Sequence, residues 1–210
     1  MTDNFNIYKQ FITEKWAYSK LPREDSYFVI ELIRRGKDNP DMPAANYHFK
    51  NYYIRKPEDL DKYKLEIKIL CNTLHLRAYA SINIKSFKQV SLNTIAELTR
   101  RIANNDYRKN YAVFESCSGK YCHPEDKQFV VDLDDCKVGD EYVYVIEDYI
   151  RNCKPVGVDK IITRIPTRSG VHLITKPFDS KQFIDRCKYL RFGETPCIKK
   201  NHLTLLYENL

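Results

Sequence analysis

Phe129-Val130-Val131-Asp132-Leu133-Asp134-Asp135 decides the reading of this chain, because an apolar run ends in two acids at alternate positions. Alternate side chains of a β-strand share a face, so Asp132 and Asp134 project together while Leu133 packs behind them. Two carboxylates on one rigid strand repel each other unless a cation lies between them. Mg²⁺ or Mn²⁺ suits such hard oxygen ligands. The plainer alternative is that the acids end the strand and cap the turn that follows.

Some 40 residues on lies Thr163-Arg164-Ile165-Pro166-Thr167-Arg168-Ser169-Gly170-Val171-His172-Leu173-Ile174-Thr175. Arg164, Thr167, Arg168 and Ser169 make a small, polar, basic turn. Arginine can clamp phosphates by paired hydrogen bonds. Gly170 is expected to let a ligand approach the backbone. His172 then stands in an apolar strand, able to contact a triphosphate or a reacting oxygen. A histidine in a strand is otherwise an ordinary packed or surface residue.

An apolar strand ending in Asp-x-Asp, followed by a small basic turn ending Gly-apolar-His, resembles the first two motifs of the archaeo-eukaryotic primase and primase-polymerase superfamily. The resemblance covers residues 75–210 in arrangement and about a dozen positions in detail. It implies that Asp132 and Asp134 bind metal and that Ser169 and His172 engage the nucleotide. It also implies a third carboxylate on or near a later strand. Glu208 is the choice here, after the apolar run Leu203 to Tyr207; Asp185, inside an expected helix, is the other candidate. The sequence departs from the family in its Ser-x-x-His spacing, one residue longer than Ser-x-His.

Outward from these motifs, helices are expected over 5–20, 57–74, 91–103, within 138–153, and over 179–190. Ser91 and Asp179 or Ser180 are the expected N-caps. Strands are expected over 26–33, 51–55, 76–84, 128–134, 160–166, 170–175 and 202–207. Residues 104–126 read as irregular and carry a soft boundary. The fold class is therefore α+β: an N-terminal α/β lobe (1–104) beside an RRM-like palm (105–210), or the whole chain as one domain. The second half reads strand, helix, strand, strand, helix, strand, which is close to the split βαβ plan. The stretch Leu76 to Asn83 is expected to line the groove, with Arg77 either able to reach a phosphate or, on the plainer reading, a solvated strand residue.

Composition bounds the rest. The chain has 210 residues, 43% hydrophobic and 30% charged, the balance of a folded protein without a low-complexity linker. No apolar run reaches the roughly 20 residues of a membrane span, and Met1 to Asn6 do not read as a secretory signal, so the cytoplasm is expected and a membrane partner is not. A net charge of +7 suits a polyanionic partner, and 16 tyrosines with 10 phenylalanines offer faces for stacking bases. Seven cysteines read as reduced thiols. Cys117, Cys122, His123 and Cys136 could form a structural zinc site, although Cys-x4-Cys is not the usual knuckle spacing. No phosphate loop of the Gly-x-x-x-x-Gly-Lys type and no Gly-x-Ser-x-Gly elbow occurs. His48, His75, His123 and His202 receive no role.

The expected function is a small primase-like nucleotidyltransferase acting on a single-stranded template with nucleoside triphosphates, of the kind found in phages or mobile elements, alone or with a replication partner. The competing readings are a catalytically degenerate palm that binds nucleic acid or nucleotide, and a metal-dependent nuclease on the same carboxylates.

Overall fold

The computed structural model describes residues 1–19, 21–39, 46–122, 127–188 and 195–209. Its elements are β1 (Thr2–Asp3), α1 (Phe5–Tyr18), β2 (Ser26–Arg34), β3 (Tyr47–Ile54), α2 (Glu58–Leu74), β4 (Arg77–Ser81), β5 (Lys85–Ser86), α3 (Phe87–Ala103), α4 (Val113–Lys120), β6 (Phe129–Asp134), α5 (Glu141–Arg151), β7 (Ile161–Pro166), β8 (Gly170–Thr175), α6 (Ser180–Cys187), β9 (Cys197–Lys200) and β10 (Leu203–Glu208). They form a mixed α+β fold with two antiparallel sheets. The larger runs β1-β10-β4-β2-β3 with β5 attached to β2; the smaller runs β7-β8-β6-β9.

Alternation divides the larger sheet into two faces. Phe28, Ile30, Leu32, Ala78, Ala80 and Leu206 meet Phe5, Tyr8, Phe11, Ile12 and Trp16 of α1 and Leu60, Ile67 and Cys71 of α2 in the main core. The opposite face begins with Tyr27 and Val29, covered by Val90 of α3 and by Val113 and Cys117 of α4. Farther along, that face is open, and Glu31 and Ile33 of β2 stand beside their cross-strand partners Tyr79 and Arg77 of β4.

The smaller sheet is also two-sided. Phe129, Val131, Leu133, Val171 and Leu173 pack under α5 and α6, where α5 supplies Val143, Ile146 and Ile150 at helical spacing. Val130, Ile165 and Ile174 point the other way and join the main core. Buried Asn4 stitches the sheets together: its Nδ2 donates to Pro166 O at 2.8 Å and to Leu205 O at 2.9 Å.

Several expectations are corrected. α3 starts at Phe87, not Ser91, because Ser86 is its cap: Ser86 Oγ accepts from the Gln89 N–H at 3.0 Å. The stretch called irregular contains α4. For α6, Asp179 is the cap as expected, accepting from the Lys181 and Gln182 N–H groups. The strand expected to complete the smaller sheet, 202–207, is instead β10 of the larger sheet, between β1 and β4. Thr204, Leu205, Leu206 and Tyr207 are all buried, which fits an interior strand. The position at the edge of the smaller sheet goes to β9, Cys-Ile-Lys-Lys, whose lysines suit an edge. A boundary at 104/105 therefore does not separate the sheets, since the last strand returns to the first lobe. Within β6–β9, the order β-α-β-β-α-β and the sheet order β7-β8-β6-β9 are the split βαβ connectivity.

Among the described residues no helix is long and apolar enough to cross a membrane.

Candidate functional site

The site grows from the register of β6 against β8. Asp132 is the direct cross-strand partner of His172, and Asp134 that of Gly170. On the face that carries Val130, burial falls along the strand: Val130 is inaccessible, Asp132 half-buried, Asp134 exposed. The apolar half of β6 thus anchors the strand while its acidic end opens onto solvent.

His172 Nε2 lies 3.2 Å from Asp132 Oδ1. Its Nδ1 lies 2.9 Å from the Thr204 hydroxyl of β10, so one ring spans both sheets. A neutral imidazole that donates from Nε2 to Asp132 accepts at Nδ1 from Thr204. From β9, Lys199 Nζ donates to the other oxygen of Asp132, Oδ2, at 2.5 Å. Hydrogen bonding to His172 first, then to Lys199, holds the Asp132 carboxyl well below the usual carboxylate range, against the opposing effect of burial.

Gly170 has a structural cause. A Cβ there would lie 1.8 Å from Leu133 O, so the backbone that approaches it is the neighbouring strand and not a ligand. The four-residue hairpin turn at 167–170 is closed by Thr167 N–H donating to Gly170 O at 2.8 Å, and Asp135 N–H donates to Ser169 O at 2.6 Å. Asp135, just after β6, lies in the left-handed region at φ 55°, a conformation that Asp tolerates.

These groups line one side of a cleft of about 1020 Å³ between the sheets. Asp132, Asp134, Thr167, Arg168, Ser169, His172 and Lys199 come from the smaller sheet. Glu31, Ile33, Arg35, Lys37, Asp38, Arg77, Tyr79, Ser81, Lys85 and Leu205 come from the larger sheet and its connections. Among the described lining residues Lys and Arg number six against four Asp and Glu, so the lining is basic in formal charge. Several of those cations are committed. Lys199 is on Asp132. Lys85 is buried, donating to the carbonyls of Ser118 and Tyr121, and burial lowers its pKa. Lys37 and Arg168 are exposed, form no ion pair among the described residues, and are available to a ligand.

Three expected site residues lie elsewhere. Arg164 points to the outer face of β7, where it forms two hydrogen bonds to Glu147 of α5 at 2.5 and 2.9 Å and lies over the Tyr144 ring. Glu147 is fully buried and needs that counter-charge. Glu208 is buried at the end of β10 with Arg77 Nη1 3.0 Å from its Oε2. Arg77 also holds Asp38 at 2.7 Å, so it is an ion-paired buried residue and not the solvated one expected. Asp185 is exposed on α6 and pairs with Lys188. No third carboxylate therefore joins Asp132 and Asp134 from either candidate position. Of the residues considered for zinc, Cys117 of α4 lies in the core it forms with α3, Cys136 lies in the core under α5, and His123 falls outside the described residues.

Arg77, Tyr79 and Ser81 of the stretch expected to line the groove do line the cleft, whereas sequence reading missed Lys199, Thr204, Arg35, Lys37 and Lys85. Nothing in the local pattern of these five marks them, because each reaches the cleft only through the tertiary arrangement of the chain: Lys199, Thr204 and Lys85 on strands, Arg35 and Lys37 at the turn that follows β2.

The donor chemistry of the acidic pair fits a divalent ion of the magnesium type, which is commonly held by one or two carboxylates and completed by phosphate and water. The ammonium of Lys199 already stands where such a charge would neutralise Asp132. Among the described residues no group of three or more His, Cys, Asp and Glu side chains is arranged to hold an ion by itself.

Comparison of the chain with models of known protein families, with curated proteins and with solved structures found no match to any of them. What fold and site define by themselves is a mixed α+β protein with two antiparallel sheets and a basic cleft between them, where a carboxylate is shared by an imidazole and an ammonium.

Proposed function

We propose that this chain is a primase-like nucleotidyltransferase whose smaller sheet serves as an RRM-like palm, adding nucleotides from triphosphates on a single-stranded template. One observation carries the reading: Asp132 and His172 are bonded across neighbouring strands, beside Asp134, at the wall of a basic cleft. A divalent ion held by Asp132 and Asp134 would neutralise charge on the phosphates and the leaving pyrophosphate. The residues of the chain divide the other tasks. His172, held by Thr204, fixes the orientation of Asp132. Arg168, with Thr167 and Ser169 in the turn, offers charge and donors to a triphosphate. Lys37 and Arg35 on the opposite wall suit the backbone of a polynucleotide, and Tyr79, which also lines the cleft, offers a stacking face.

A second reading has its own observation. Asp132 is already neutralised by Lys199, and Glu208 lies outside the cleft. Both favour a palm that binds nucleotide or nucleic acid without turning it over. One experiment separates the readings: labelled primer on single-stranded DNA, nucleoside triphosphates and Mn²⁺, with wild type against Asp132→Ala/Asp134→Ala. Extension by wild type that disappears in the double variant is the expected result. Retained DNA binding with no extension supports the silent palm, and a ladder of shortened products identifies a nuclease.

A further inference from the structure

Asp132 and Asp134 share a strand face but not a charge environment. Both oxygens of Asp132 meet a nitrogen, Lys199 Nζ at 2.5 Å and His172 Nε2 at 3.2 Å. Asp134 is exposed and forms no ion pair among the described residues. Lys199 is held in β9 as the register partner of Val130, two residues before Asp132 on the same face. Its side chain is 30% exposed, so the ammonium can turn into the cleft without disturbing either core.

We infer that Lys199 is a built-in competitor of the divalent ion: its ammonium occupies Asp132 Oδ2 until an ion takes that oxygen. The inference rests on the metal reading given under Proposed function and adds a regulation of the same site. Its physics is simple. An incoming cation must displace a like charge and recover a ligand atom that the ammonium covers. The lysine therefore weakens ion binding in the absence of any other partner for it. Removing the ammonium leaves the carboxylate pair with its full negative charge and a free oxygen.

The test is Mn²⁺ alone, titrated into the full chain, with free Mn²⁺ followed by electron paramagnetic resonance. Lys199→Met is expected to bind Mn²⁺ about tenfold more tightly than wild type, a difference of about 1.4 kcal/mol. Lys199→Arg keeps the charge and is expected to bind like wild type. Adding Asp132→Asn to Lys199→Met is expected to remove the gain. Lys199→Gln repeats the comparison with a polar side chain, should methionine disturb the edge strand. Equal or weaker binding by both neutral variants overturns the competitor role and leaves the metal reading standing. No Mn²⁺ binding in any form overturns both.

Discussion

Gly170→Ala tests whether the two central strands of the smaller sheet touch as closely as described. The added Cβ would lie 1.8 Å from Leu133 O, 2.9 Å from Leu133 C and 3.0 Å from Asp134 Cα. All three are backbone atoms, so no rotamer change relieves the overlap. β6 and β8 must instead separate at the pair Asp134–Gly170, beside the Asp132–His172 pair. Overpacking in a well-packed region costs roughly 1–3 kcal/mol and occasionally more, and contacts with rigid backbone belong at the upper end. At about 3 kcal/mol, a domain of this size should lose about 6–12 °C in Tm. Circular dichroism melts of wild type and variant measure this directly. Gly119→Ala is the control: its Cβ meets nothing within 4 Å, and it lies within α4. It should be neutral or stabilising by about 0.5–1 kcal/mol. A Gly170→Ala protein melting within about 2 °C of wild type would refute the close approach of the two strands.

Asp132 contributes pH-dependent stability. His172 and then Lys199 depress its folded-state pKa, so the contribution is present above the unfolded value, about 3.9, and fades as pH falls toward the folded value. The Tm gap between wild type and Asp132→Asn should be widest near neutral pH and close below about pH 4; a gap that stays constant contradicts the pairing. Arg164→Ala leaves buried Glu147 with Arg151 alone, 3.0 Å away, and should cost about 2–3 kcal/mol in denaturant unfolding with little change in DNA binding. Arg168→Ala and Lys37→Ala should each weaken single-stranded DNA binding and lower the salt slope by about 0.7, measured by fluorescence anisotropy across salt concentrations. An unchanged slope removes that residue from the binding surface.

The acidic strand was legible because its information is local. Period-2 alternation in Phe129 to Asp134 fixes which side chains share a face, and the same holds for Gly170 to Thr175. The helices α1, α2, α5 and α6 were legible for a similar reason, through apolar spacing and, for α6, the Asp179 cap. Arg164 shows the limit of that logic. It sits one residue from Ile165, and alternation sends it to the opposite face, but only α5 reveals that Glu147 waits there.

By itself, the sequence determined the paired projection of Asp132 and Asp134, the positions of β6, β7 and β8, and the mixed α+β class. Each follows from the period of a few consecutive residues. Tertiary structure alone decided which sheet the last strand joins, that Glu208 is tied to Arg77, and that Lys199 and Thr204 reach the Asp132–His172 pair. Those outcomes depend on pairing between strands up to some 200 residues apart, as in Thr2 with Glu208. Such pairing is chosen by the burial of whole faces against one another, a quantity no short stretch of residues contains.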